Sequence, residues 1–272
     1  MVKKLFSQHY STLKYLIRWS VIAIPVAIAI GSMVALFLWL LHLATNFRFT
    51  HSWLLYLLPV GGVVIHLLYK WYGSSAERGN NLIIDEIHQP GAGVPKRMAP
   101  LILVTTVITH VFGGSAGREG TAVQIGGSIA NLFAGWFKLL PKDKQVILTA
   151  GIAAGFGAVF GTPLTGAIFA LEVLAIGRIQ YNALMPCLVA SLIADLTVSA
   201  WGVHHTHYHI DDIATVQYFN GHQLNVSFLV LGKVVIASVV FGLAALVFSK
   251  ATHTVKQVAA KSIKTDWLIP VC

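Results

Sequence analysis

The run GGSAGREGTAVQIGG, Gly113 to Gly127, sets a carboxylate, Glu119, between glycines in an otherwise apolar part of the chain. A second glycine turn, PGAGVPKRM at Pro90 to Met98, leads into an apolar stretch in the same way. Both read as loops that open a helix, where the first backbone N–H groups have no partner inside the helix. With the positive end of the helix dipole, those groups form an anion site, and glycine leaves the approach clear. Pro95 suits the first turn of a helix, which leaves the N–H groups of Gly93 and Val94 as candidate donors. In a membrane, amide dipoles hold an anion well enough to admit it and weakly enough to release it, as conduction requires. Glu119 adds a charge that is costly at membrane depth and so marks a functional position. Ionised, its side chain competes with an anion for one site; protonated, it can swing away and admit the ion. That is a gate linked to protons. The plainer alternatives are ordinary helix capping at the Pro90–Met98 turn and a Glu119–Arg118 ion pair, although neighbouring residues at a turn point apart.

These turns need a scaffold of spans. The chain has 272 residues, 56% hydrophobic and 11% charged, a composition for a polytopic membrane protein rather than a water-facing domain. Val21 to Leu41 holds no ionisable residue, over a length that crosses a hydrocarbon core of roughly 30 Å. Further apolar stretches run at Ser52–Tyr69, Pro100–Ala116, Gly120–Phe137, Gln145–Leu171, Ile179–Ala194 and Val226–Ser249. Within Gln145–Leu171, the residues Gly151, Gly155, Gly157, Gly161 and Pro163 predict a break into a re-entrant pair of shorter helices. Small residues three or four apart also let helices pack closely, the preferred role for Gly151, Gly155 and Ala158. The polar interruption Gly73–Pro100 is expected to lie mostly outside the hydrocarbon.

Charge and composition exclude other classes. Lys3, Lys4, Lys14 and Arg18, with no acid among the first eighteen residues, place the N-terminus in the cytoplasm. The apolar run that follows is too long for a cleaved signal peptide. The net charge of +9 does not imply nucleic acid, because basic residues such as Lys138, Lys142 and Lys144 flank apolar spans, where lysines reach for the interface. Cys187 and Cys272 form no disulfide framework and no metal spacing. HHTHYHIDD carries His204, His205, His207, His209, Asp211 and Asp212, and alternate histidines on an extended strand suit zinc or copper. The expected role is nonetheless a polar loop between spans, and no metal or cofactor is assigned. No HExxH occurs and no serine and histidine stand convincingly together as a catalytic pair, so the chain is expected not to be an intramembrane enzyme.

GREGTAVQIGGSIA, Gly117 to Ala130, closely resembles the GREGP-type signature of the CLC chloride channels and proton-coupled anion antiporters. GAGVP, Gly91 to Pro95, takes the place of that family's GSGIP-type motif, and TAGIAAGFGAVFGTPLTGAIFALEVL, Thr149 to Leu174, looks like its following helix pair. The resemblance runs from about Ile17 and is weakest after Ala200. It implies an all-α polytopic membrane protein, the first of two inverted repeats with broken and re-entrant helices, usually a homodimer with one pathway per subunit. It further implies that Glu119 is the external gating glutamate, that Gly120, Thr121 and Ala122 lie at an anion-binding helix start, and that Gly93 and Val94 donate to the central anion. The implied partners are fluoride or chloride, protons and the lipid bilayer, and the expected location is a bacterial inner membrane.

The departures from the family pattern bear on selectivity. Ala92 stands where chloride-carrying members have a serine hydroxyl, Thr121 replaces the proline of GREGP, and Val173, after Glu172, falls at the internal proton glutamate. These departures resemble the fluoride-exporting branch. The expected function is fluoride/proton antiport in the complete protein. The alternatives are an ordinary chloride channel or chloride/proton antiporter and, from another class, a non-transporting scaffold or half-subunit. The second repeat's GxFxP-type helix start and late tyrosine do not occur. The expected layout is a cytoplasmic segment at 1–18, the first membrane repeat at 19–200, a His-rich polar loop at 201–225, the first helix of an incomplete second repeat at 226–249, and a basic tail opening another span at 250–272. This chain alone is expected to be inactive.

Overall fold

The computed structural model describes residues 2–89, 91, 93–173, 181–205 and 228–263. Among them the regular structure is helical, with no strand. The helices are α1 (Val2–Thr50), α2 (Leu58–Leu68), α3 (Asn80–His88), α4 (Met98–Val111), α5 (Glu119–Trp136), α6 (Pro141–Phe160), α7 (Pro163–Val173), α8 (Leu184–Ala200) and α9 (Phe228–Ser262). Among the described residues, four helical stretches are long and apolar enough to cross a membrane: Leu13–Thr50, Ser52–His88, Tyr181–Ala200 and Leu231–Ala259. The chain divides into two compact units, Met1–His205 and Thr206–Pro270.

In the first unit, α5 and α6 form the centre. Thr121 to Ala130 of α5 are all buried, as is most of Val146 to Val159 of α6, so both helices are enclosed on every side. They meet backbone to backbone: a methyl group on Gly126 would overlap the Gly151 carbonyl, and one on Gly155 would overlap that of Ala122. Gly151 and Gly155 therefore serve packing and do not interrupt α6. The expected break occurs only at Gly161, in the left-handed conformation (φ 68°), whose N–H donates to the Gly157 carbonyl at 2.9 Å. Pro163 then opens α7, because proline needs no N–H at a first helical position.

α1 shows which side faces the core. Ala23, Val26, Ala27, Ile30, Val34 and Phe37 are buried, while Ile17, Val21, Ile24, Ile28 and Trp39 are exposed. An apolar stripe of that extent is foreign to a water-soluble surface and suits lipid contact.

The segment expected at 1–18 is helical from Val2 and continuous with the rest of α1. The apolar helix expected at 226–249 runs on through the basic region to Ser262. Within the Gly73–Pro100 interruption, α3 buries Leu82, Ile83, Glu86 and Ile87, a spacing that sets one helical face against the core. The His-rich stretch beyond His205 and the final DWLIPVC lie outside the described residues.

Candidate functional site: two glycine turns on one helix

Both glycine turns are organised by α5, at different levels. Glu119 is its first residue, and Arg118 precedes it as cap without a side-chain capping bond. Glu119 is exposed, and its carboxylate folds back over Gly117 so closely that a methyl group there would collide with Oε2. Among the described residues no ion pair reaches Glu119, so the pairing with Arg118 is not formed.

The amides beside Glu119 divide unequally. The N–H groups of Gly120 and Thr121 lie in the first turn, where a helix supplies no partner. That of Ala122 donates to the Arg118 carbonyl at 3.0 Å. Ala122 thus offers no open amide. The Thr121 hydroxyl does not face open space either: it bonds to the Thr106 hydroxyl at 2.9 Å, and Thr121 is 3% exposed. Beside this turn lies a cleft of about 340 Å³ that includes Thr105, Thr106, Thr109, Gly120, Thr121 and Gln124 in its lining. Gln124 Oε1 and Asn80 Oδ1 are buried with no hydrogen-bond partner. Buried acceptors left open call for ordered water.

The Gly91–Pro95 turn is held from both sides. Ser128 Oγ donates to the Pro95 carbonyl at 3.0 Å, and Asn131 Nδ2 donates to the Val94 carbonyl at 2.8 Å. These anchors lie nine and twelve residues beyond Glu119, roughly 14–18 Å along the helix at its ordinary rise. On the amide side, Gly93 N–H donates to Glu86 Oε2 at 2.7 Å, and Gly91 N–H lies 3.3 Å from both Glu86 oxygens. Gly93 is left-handed (φ 73°), a conformation that glycine adopts without penalty and that other residues resist. The Gly93 amide, expected to be open to an anion, is therefore paired within the protein. Ala92 lies outside the described residues.

Glu86 is the residue that sequence reading missed. It is 2% exposed and forms an ion pair with Lys144. The N-terminal end of α6 ties several elements together: Asp143 pairs with Arg18 at 2.6 Å, Lys144 with Glu86, and Gln145 Nε2 donates to the Ile87 carbonyl at 2.7 Å. The signal was present, since Glu86 shares the helical stripe of Leu82, Ile83 and Ile87, and an acid on an apolar face must be paired when buried. Elsewhere, His205 Nε2 lies 3.8 Å from Asp195 Oδ1; His207, His209, Asp211 and Asp212 are not among the described residues.

Short helices that begin at glycine turns thus lie among helices of membrane length. The sequence profile of the voltage gated chloride channel family matches residues 61–272, and the chain belongs to that family. A chloride/fluoride channel protein of Pseudomonas syringae is 51% identical over 241 residues, 89% of this chain and 51% of that protein. A voltage-gated ClC-type chloride channel of Yersinia pestis is 30% identical over 132 residues, 47% of this chain and 30% of that protein. The crystal structure of a CLC-type fluoride/proton antiporter superposes with a TM-score of 0.83 at 29% identity, covering 93% of this chain and 62% of that one. The chain thus spans about half the length of the relative from Pseudomonas syringae.

Proposed function

We propose that this chain supplies the first repeat of a fluoride/proton antiporter in which Glu119 is the protonatable gate. The observation that carries the reading is the start of α5: an acid with no ion-pair partner among the described residues, beside two first-turn amides and a cleft lined in part by threonines. An ionised carboxylate lies at the positive end of the helix, where an anion would also bind, so the two compete for one place. Protonation removes the competitor, and each cycle of entry and exit then moves a proton. Fluoride is favoured over chloride by Ala92 and Thr121 in sequence and by the likeness to the structure of a fluoride/proton antiporter, while the relative from Pseudomonas syringae is named for both anions. The complete pathway takes shape where two repeats meet, and a homodimer in a bacterial inner membrane, N-terminus inside, is its proposed setting.

The test uses a fusion of this chain to the remaining half of the Pseudomonas syringae relative, reconstituted in liposomes. Glu119→Gln mimics the protonated side chain, so fluoride efflux persists while fluoride-driven proton uptake falls to the protein-free background. Coupling retained at the unmodified level would reject the assignment. This chain reconstituted alone is expected to pass fluoride and chloride no faster than protein-free liposomes, because half a coordination shell leaves an ion with most of its desolvation penalty.

A further inference from the structure

Glu86 stands where an anion would stand. Its carboxylate accepts the N–H groups of Gly91 and Gly93 and pairs with Lys144, which together make a site for a small anion. The site is built from deeply placed parts: the Glu86 side chain is 1% exposed, whereas that of Lys144 is 22% exposed, so the cation forms the side open to entering ions. Lys144 also sits in the first turn of α6, whose dipole adds to the positive field there. On the far side, Ser128 and Asn131 hold the turn by its carbonyls, leaving the amides aimed at the carboxylate. A loop held in this way does not need the carboxylate to keep its shape, so the amide site persists when the occupant is removed.

We propose that Glu86 is a tethered anion that occupies a ready-made halide or carboxylate site at the Gly91–Gly93 turn, with Lys144 as the counter-ion that holds it there. An ion from solution reaches those amides only by displacing Glu86 toward Lys144. The turn is thus the self-occupied partner of the turn at Glu119. The inference concerns the same anion pathway as the proposed function, but it does not depend on Glu119 being a proton gate.

The experiment uses the 272-residue chain in detergent, titrated at constant ionic strength with sodium fluoride by ¹⁹F NMR, and with sodium formate and sodium chloride by calorimetry. Glu86→Ala vacates the site and is expected to bind at least one of these anions about tenfold or more tightly than the unmodified chain, the scale of a charge-assisted hydrogen bond. Glu86→Gln, which fills the space without charge, is expected to bind none. Adding Lys144→Met to Glu86→Ala abolishes the gain. Should Glu86→Ala fold poorly, recovery of its thermal transition by formate or chloride, lost again with Lys144→Met, supports the proposal equally. A Glu86→Ala chain that ignores all three anions, whether folded or not, overturns it. Binding that survives Lys144→Met but disappears with Glu119→Gln places the ion at the start of α5; that result overturns the proposal and leaves the proposed function standing.

Discussion

The turn at Gly91–Pro95 and the turn at Gly117–Thr121 look alike in sequence, yet the fold treats them oppositely. The first is clamped, its amides taken by Glu86 and its carbonyls by Ser128 and Asn131. The second is open: Glu119 has no ion pair among the described residues, and the amides of Gly120 and Thr121 have no helical partner. A glycine-rich helix start is therefore only a capacity for anion binding. What fills it is decided by the acids that the surrounding helices bring near: α3 delivers one to the first turn, and the second carries its own.

That contrast can be broken at the clamp, where the largest stability effect is expected. Lys144→Met leaves Glu86 buried without its cation and should cost about 3–5 kcal/mol, read as a lower thermal transition of the chain in detergent. Glu86→Gln added to it should recover most of the loss; if the single variant unfolds with the unmodified chain, the buried charge of Glu86 does not depend on Lys144. Removing the other jaw comes next. Asn131→Ala strips the buried Val94 carbonyl of its donor, an effect of about 1–3 kcal/mol, measured by the same transition, and equal stability would show that water replaces the amide. Thr121→Val loses the bond to Thr106 at about 1 kcal/mol. A shift larger than that of Asn131→Ala would mean that the open turn is the more constrained of the two.

Gly117→Ala sharpens the contrast from the opposite side. The added methyl group collides with the folded-back Glu119 carboxylate, and because both residues are exposed the side chain can move aside with little change in stability. In the fusion protein this change should alter the pH dependence of fluoride efflux while the thermal transition stays in place. An unchanged pH profile would show that the folded-back position of Glu119 plays no part in gating.

Much of this was legible in the sequence. The spans followed from uncharged apolar runs, the α6–α7 break from Gly161 and Pro163, and the start of α5 from the glycines around Glu119, since each rests on local chemistry: hydropathy, a missing N–H, a left-handed residue. The roles of Gly151 and Gly155 were also readable, because spacing of three and four on a helix is a local rule. Family membership was legible in GREGTAVQIGGSIA and GAGVP for the same reason, both being contiguous segments.

What the tertiary structure alone decided is partnership. Glu86 and Lys144 are 58 residues apart, as are Gln145 and Ile87, and nothing in either segment names the other. The Gly93 amide reads as open in sequence and is closed in the fold, because a carboxylate from α3 reaches it across a loop that α5 holds from behind. Sequence by itself determined where helices begin and which residues carry charge, since backbone conformation and solvation act over a few residues. Only the packed structure decided which charge meets which amide, since that depends on the α5–α6 seam bringing distant helices into register.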